Sequence, residues 1–165
     1  MRVAIGLGAN LGHPEENIQA ARDALAAGGM AEITLSPLYK TTPVDCVPGT
    51  PDFVNAALVG DWPGDVDSLL ETCKAIEEKL GRPRIHSSEE ARMIDLDILM
   101  ADGAVSAHDR LTIPHPRFHE RLFALVPLND LAPDWVIPGL DKTVAEVTRD
   151  RLAADGDSFQ ARKLA

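Results

Sequence analysis

Two aspartates, Asp95 and Asp97, stand inside an otherwise apolar run, Arg92-Met93-Ile94-Asp95-Leu96-Asp97-Ile98-Leu99-Met100. The run holds no Pro or Gly and is rich in branched residues, the pattern of a buried strand. Side chains alternate along a strand, so Leu96, Ile98 and Met100 are predicted on one face and both aspartates on the other. The aspartate Cα atoms then lie about 7 Å apart. Asp is disfavoured in strands and like charges on one face repel, so something must compensate the pair. A hard divalent cation such as Mg²⁺ does so: it takes carboxylate oxygens and few protein ligands, and leaves room for water and phosphate. Exposed acids, solvated or paired with arginines, are the other reading of so short a motif.

Arginines surround the run. Arg82, Arg84 and Arg92 lie in and at the end of a polar segment, Arg82-Pro83-Arg84 through His86-Ser87-Ser88-Glu89-Glu90-Ala91, which lacks apolar periodicity. Guanidinium forks match phosphate oxygens. Acids for a cation and arginines for the remaining oxygens make up a metal–polyphosphate site. Further on, Arg110-Leu111-Thr112-Ile113-Pro114-His115-Pro116 is a short extended piece in which two prolines fix the pose of His115. With Arg110 and Thr112 beside it, His115 is a candidate phosphate contact, although a lone His is often structural. Phe53 and Asn55 share a face of another strand by alternation. An aromatic and an amide at that spacing suit a flat heterocycle, one stacking and the other hydrogen-bonding, or else are a core Phe and a turn-capping Asn.

These groups need a scaffold. Residues 2–7 read as a strand, and Gly8-Ala9-Asn10-Leu11-Gly12 as a turn. A helix follows from Pro14, with Glu15 and Glu16 in its first turn, Ile18, Ala21 and Ala24 or Leu25 inward, and Gly28-Gly29 at its end. The Gly6-x-Gly8-x-x-x-Gly12 spacing is not the dinucleotide fingerprint. Ile33 to Thr42 reads as a second strand, with Pro37 marking an edge or a bulge. A Pro-rich loop from Thr41 then leads into a strand over 51–59, and such a long loop favours a functional role. Asp65 to Leu80 is the second helix, its apolar stripe Val66, Leu69, Leu70, Cys73 and Ile76, with Glu71, Lys74, Glu77 and Glu78 on the polar side. After Met100 an Asp102-Gly103 turn and a weak strand through Val105 are expected. A third helix spans His119 to Leu131 with Pro127 as a kink, and Val144, Val147 and Leu152 mark a last helix. Beyond about residue 154 the small, polar composition predicts a mobile tail. Strand, helix, strand, strand, helix, strand is the order of an α+β ferredoxin-like βαββαβ sandwich, here with C-terminal additions.

The 165 residues fit one domain spanning 1–165, and 45% hydrophobic content is in the globular range. A net charge of −10 argues against nucleic acid as a partner, so any anion site must be a local basic cluster. Cys46 and Cys73 form no metal motif and imply no disulfide. The opening run Val3-Ala4-Ile5-Gly6-Leu7 is too short for a signal or membrane segment, so a cytoplasmic protein without membrane contact is expected. No long apolar stripe is left after the core is assigned, which points to a monomer.

The chain resembles the 6-hydroxymethyl-7,8-dihydropterin pyrophosphokinases (2-amino-4-hydroxy-6-hydroxymethyldihydropteridine diphosphokinases) of folate biosynthesis. The matching pieces occur in the family's order: Gly6-Leu7-Gly8-Ala9-Asn10-Leu11-Gly12, Tyr39-Lys40-Thr41-Thr42-Pro43, Pro51-Asp52-Phe53-Val54-Asn55-Ala56, Gly81-Arg82-x-Arg84, Arg92-x-x-Asp95-Leu96-Asp97-Ile98, Leu111-Thr112-Ile113-Pro114-His115-Pro116 and Glu120-Arg121-x-Phe123-x-Leu125-x-Pro127-Leu128. The resemblance implies a ferredoxin-like fold and transfer of a pyrophosphoryl group from ATP to the pterin hydroxymethyl, releasing AMP. It implies that Asp95 and Asp97 hold two Mg²⁺ ions and that Arg82 and Arg92 act with them in catalysis. Thr42, Pro43, Val44, Phe53, Asn55 and Phe123 would bind the pterin. Lys74, Glu77, Arg84, Ile98, Arg110, Leu111, Thr112, His115 and Arg121 would bind ATP. Glu89-Glu90-Ala91 stands where the family often has Trp-Gly-Pro, which predicts altered closure of the 82–92 segment. A catalytically weakened relative, or a ferredoxin-like small-molecule binding module, is the alternative.

Overall fold

The computed structural model describes residues 1–41, 48–49, 51–81, 93–102, 105–108, 110–155, 159 and 161–164. Its elements are, in order, β1 (Arg2–Ala9), α1 (Pro14–Ala27), β2 (Ala31–Leu35), β3 (Tyr39–Thr41), β4 (Phe53–Asp61), α2 (Val66–Lys79), β5 (Asp95–Ala101), β6 (Ser106–His108), β7 (Leu111–Ile113), α3 (Leu122–Leu131), β8 (Val136–Ile137), β9 (Lys142–Thr143), α4 (Val144–Asp155) and β10 (Ala161–Lys163). A single 3-10 turn, Phe118–Glu120, precedes α3.

The main sheet has the order β10-β3-β4-β1-β5, with β2 also on β4. Every pairing in it is antiparallel. In the two β-α-β units, β1–α1–β3 encloses β4 and β4–α2–β5 encloses β1, the split arrangement of a ferredoxin-like sandwich. β1 is central and has helices over both faces, so its run reads apolar almost throughout.

Two apolar clusters lie on opposite faces of the sheet. Ile5, Leu7, Leu58, Leu96 and Ile98 pack with Ile18 and Leu25 of α1 and Leu69 and Ile76 of α2. On the other face Ala4, Ala57, Leu99 and Met100 meet Phe118, Leu125 and Leu128, with Val144 and Val147 of α4. The C-terminal additions thus supply a third layer. Helix ends follow local chemistry: Asp65 caps α2 by accepting from the Ser68 N–H at 2.8 Å, and Gly81 follows it in the left-handed region at φ 107°.

The strand expected over Ile33 to Thr42 is two strands. Both β2 and β3 lie on β4, but the register shifts by one residue between Leu35↔Leu58 and Tyr39↔Asn55. Ser36 takes up the break: its N–H donates to the Ala57 carbonyl at 2.8 Å and its hydroxyl accepts from the Ala57 N–H at 2.9 Å. Pro37, which has no N–H to offer a ladder, follows at once.

A second bulge corrects the expected alternation along β5. Ile98 pairs with Ile5 but Met100 with Ala4, so Leu99 is an extra residue. Leu96 and Ile98 therefore face α1 and α2, whereas Met100 joins Leu99 under α3. Asp95 and Asp97 keep the predicted shared face, because they precede the bulge.

Four smaller corrections concern the ends and faces of elements. β1 runs two residues beyond the expected strand, through Gly8 and Ala9, since both still have partners on β4. The third helix starts at Leu122, after the 3-10 turn, and it contains Pro127. Leu152 is exposed, and Thr148 takes the inward position on α4. The tail expected beyond 154 contains β10, whose three residues pair with β3.

Candidate active site

The site lies on the α3 face of the sheet, where the apolar cover stops. Ala4, Ala57 and Leu99 are buried beneath α3, but further along the same face Phe53, Asp95 and Asp97 are half-exposed. The floor between them is glycine. Gly8 lies opposite Asn55 on one side and Asp95 on the other, and Gly6 opposite Ala57 and Asp97. Neighbouring strands are about 4.8 Å apart, so the amide-bearing wall and the acidic wall stand about 10 Å apart across a groove without side chains.

Gly8 is required by a close approach. A Cβ at this position would lie 2.8 Å from Asn55 Oδ1 and 3.9 Å from Phe53 Cδ1. The same contacts show that Phe53 and Asn55 share the face that alternation predicted. Asn55 is buried, and its Nδ2 donates to Thr41 Oγ1. Asn10, at the end of β1, donates from Nδ2 to the Pro51 carbonyl at 3.1 Å and ties down the approach to Phe53.

On the acidic wall, Asp95 and Asp97 flank Leu96, whose N–H donates to Glu77 Oε2 at 3.1 Å. Glu77 on α2 is buried, so it belongs to the interior and not to the solvated side of its helix. β5 is at the edge of the sheet, and Glu77 serves the N–H that points away from β1. The carboxylate of one helix thereby fixes the strand between the two acids. One turn earlier, burial pushes the Cys73 thiol up to about 12, with Glu77 and Asp97 adding to the effect.

The Arg110–His115 segment returns alongside β5. The His115 N–H donates to the Leu99 carbonyl at 2.9 Å, on the bulge. Its Nδ1 accepts from the Arg117 N–H at 3.2 Å. Burial, with Arg121 next, holds the imidazole down to about 4, and Asp95 opposes this in part. His115 is therefore neutral near pH 7, and with Nδ1 occupied its proton sits on Nε2, as a donor. Arg121 immediately precedes α3, and its guanidinium carbon lies 5.5 Å from the centre of the Phe123 ring.

The predicted residues other than Glu77 fall into five groups. Phe53, Asn55, Asp95 and Asp97 converge on the glycine floor. His115, Arg121 and Phe123 lie where the loop before α3 meets that floor. Lys74 and Arg110 are exposed on the α2 side of β5, where Arg110 pairs with Glu71, and Thr112 is exposed on β7. Ile98 and Leu111 are buried in the α1–α2 cluster, so only their backbone can meet a nucleotide. Thr42, Pro43, Val44, Arg82, Arg84 and Arg92, with Glu89-Glu90-Ala91, lie outside the described residues. Sequence reasoning missed Thr41 as the partner of Asn55 and read Gly8 only as a turn residue. Counting alternation back from Asn55 through Tyr39 would have found Thr41, once the register of β3 on β4 was known.

Asp95 and Asp97 suit a hard cation. They offer only oxygen donors from one face, and among the described residues no third His, Cys, Asp or Glu completes a protein cage. Carboxylate oxygens and few protein ligands are what Mg²⁺ takes. No helix among the described residues is long and apolar enough to cross a membrane.

The fold alone says little about chemistry, but an acidic pair facing an aromatic–amide wall fits the class of proteins that transfer a phosphoryl group to a flat heterocycle. Comparison narrows this class. Residues 4–133 match the family model for 7,8-dihydro-6-hydroxymethylpterin-pyrophosphokinase (HPPK). A 2-amino-4-hydroxy-6-hydroxymethyldihydropteridine pyrophosphokinase of Methylorubrum extorquens is 38% identical over 156 residues, covering 92% of this chain and 92% of its own. One of Synechocystis is 36% identical over 144 residues, covering 87% of this chain and 72% of its own. The crystal structure of an HPPK-DHPS in complex with substrates superposes with a TM-score of 0.72 at 13% identity, over 94% of this chain and 46% of that one. The chain belongs to the 7,8-dihydro-6-hydroxymethylpterin-pyrophosphokinase family. This is a family of transferases in folate synthesis that use ATP as co-substrate.

Proposed function

We propose that this chain transfers pyrophosphate from ATP to the hydroxymethyl group of 6-hydroxymethyl-7,8-dihydropterin and releases AMP, with the glycine-floored groove as the place of transfer. The observation that carries this reading is the register at Gly8, which faces Asn55 on one side and Asp95 on the other. Heterocycle recognition and cation binding thus flank one cleared strip of backbone.

In this reading the pterin stacks on Phe53 and Phe123, and its amide edge is read by Asn55, held by Thr41, with backbone around Thr42, Pro43 and Val44. Asp95 and Asp97 would hold two Mg²⁺ ions. When bound, these neutralise the polyphosphate and acidify the attacking hydroxyl. His115 donates from Nε2 to a phosphate oxygen, and Arg121, Arg110 and Thr112 add donors. Arg82, Arg84 and Arg92 match the equatorial oxygens of the transferred group, where charge develops. Lys74 and the backbone of Ile98 and Leu111 border the nucleotide, while Glu77 keeps β5 in place. The hydroxyl oxygen attacks the β-phosphorus, the bond from that phosphorus to the α-β bridging oxygen breaks, AMP leaves with that oxygen, and the hydroxyl proton passes to water. No side chain has to act as a strong general base. The unit acts as one domain and as a cytoplasmic monomer. The net charge of −10 favours the monomer.

The test is a product assay with ATP, Mg²⁺ and 6-hydroxymethyl-7,8-dihydropterin, read by mass spectrometry. Equal amounts of AMP and pterin pyrophosphate, lost in Asp97→Ala, are expected. ADP in place of AMP refutes the β-phosphorus mechanism. Pterin binding without turnover makes the chain a binding module or a weakened relative.

A further inference from the structure

The last described strand touches the heterocycle wall from behind. β10 runs antiparallel to β3, with Ala161 opposite Thr41, Arg162 opposite Lys40 and Lys163 opposite Tyr39. The Leu164 N–H continues the pairing, donating to the Leu38 carbonyl at 2.7 Å. On its other side β3 meets β4, Tyr39 facing Asn55 and Thr41 facing Phe53. A strand of only three residues, and the one that carries the partner of the Asn55 amide, is therefore held between β4 and the end of the chain.

A second tie crosses to α3. The Tyr39 hydroxyl donates to the Asp130 carboxylate. Lys163 Nζ lies 5.6 Å from the centre of the Tyr39 ring and 4.0 Å from Asp130 Oδ2. Burial, and then Asp130, push the Tyr39 hydroxyl up to about 12, so it remains a donor throughout the neutral range. Asp130 is seven residues after Phe123, about two helical turns, so both project from the same side of α3.

We infer that β10, Tyr39 and Asp130 form a clasp that positions the heterocycle wall, holding β3 and α3 at the spacing Asn55 and Phe123 require. This rests on the reading of that wall as the pterin side of the site. The physical reason is the shortness of β3. Three residues paired on one side fray readily. A frayed Thr41 would release the Asn55 amide from its fixed direction, and the ligand would then have to order it on binding. Asp95, Asp97 and His115 hang from β5 and the segment after it, with β4 and β1 in between, so loosening the clasp spares the nucleotide side. Asp130, Tyr39 and Lys163 are positioning residues in this scheme.

The experiment compares Asp130→Asn, Tyr39→Phe, their double variant and Arg162→Pro with the wild type. Arg162 is two residues before Leu164, so its N–H also faces β3 by alternation, and proline removes it. The readouts are KM for the pterin, KM for ATP, kcat and the melting temperature. A rise of about fivefold in pterin KM is expected for Asp130→Asn, with ATP KM and kcat unchanged, since about 1 kcal/mol of a charge-assisted bond is lost. Tyr39→Phe should raise it at least as much, because phenylalanine deletes the donor whereas asparagine keeps a neutral acceptor, and the double variant should be no worse than Tyr39→Phe. Arg162→Pro should raise pterin KM at least as much. An unchanged pterin KM with a lowered melting temperature refutes the clasp and leaves a purely structural tie. Equal rises in both KM values refute it too. If the wild type makes no pterin pyrophosphate, the functional reading fails. The clasp is then judged by pterin fluorescence titration of the same variants, where unchanged affinity overturns it.

Discussion

Gly8→Ala adds a single methyl group to the floor of the groove, and the structure says what that methyl meets. It would stand 2.8 Å from Asn55 Oδ1, roughly 0.6 Å inside ordinary contact. Asn55 cannot withdraw freely, because it is buried and its Nδ2 is engaged by Thr41. The amide must rotate and give up that bond, at a cost of about 1–3 kcal/mol. A pterin that depends on the amide loses a similar amount, so pterin KM should rise about tenfold to a hundredfold. Stability should fall as well, because the free protein bears the lost bond. Overpacking adds about 1–3 kcal/mol, and removing a strand glycine returns about 0.5–1 kcal/mol. The melting temperature should therefore fall by several degrees. The assay is steady-state AMP release with pterin varied at saturating ATP and Mg²⁺. Asn55→Ala supplies the control: in the double variant the clash partner is gone, so Gly8→Ala should add almost nothing to the effect of Asn55→Ala. Wild-type pterin KM in Gly8→Ala, or full additivity in the double variant, would refute the reasoning. Gly6→Ala is the contrast, since its methyl meets only the flexible end of Leu99 at 3.4 Å.

Glu77→Ala leaves the Leu96 N–H without its carboxylate and should lower the melting temperature and kcat together, whereas Glu77→Gln keeps an acceptor and most of the stability; an unchanged melting temperature in Glu77→Ala would count against Glu77 as the anchor of β5. His115 is held down to about 4 from an ordinary 6.5, so the unfolded chain binds the extra proton between those values. Its contribution to stability is fully present above about 6.5 and is lost as the pH falls towards 4, so urea midpoints of the ligand-free protein should drop over that window, less steeply in His115→Asn. Cys73, free, buried and pushed up to about 12, should resist iodoacetamide at pH 8 in the native protein and react once unfolded, as peptide mapping by mass spectrometry would show.

The local placing of the candidate groups was legible in the sequence because it is carried by local pattern. Two acids at strand spacing in an apolar run place themselves on one face wherever the strand goes, and the same parity rule joined Phe53 to Asn55. Helix ends were legible for a similar reason, since Pro14, Asp65 and the glycines at 28, 29 and 81 act on the backbone beside them. The misses were failures of register. One extra residue at Leu99 sent Met100 to the opposite face, and one between Leu35 and Tyr39 split a strand in two. Neither bulge has a signature in side-chain type alone, because a bulge is a relation between two strands. Glu77 looked like part of a solvated helix side, and only the packing of α2 against the edge of β5 gave its carboxylate a buried N–H to accept from.

By itself, then, the sequence determined the types and local placing of the candidate groups and the elements that carry them: acids on a strand, an aromatic and an amide on another, a histidine set between prolines. Tertiary structure alone decided how they meet. It laid β4 and β5 on either side of β1, which set Asn55 and Asp95 against the same glycine. It also brought the chain's last strand onto β3, across more than a hundred residues of sequence. The reason is physical. Alternation, capping and turn chemistry act over a few residues. Cross-strand register is fixed by burying two apolar faces at once, and that depends on every element of the fold.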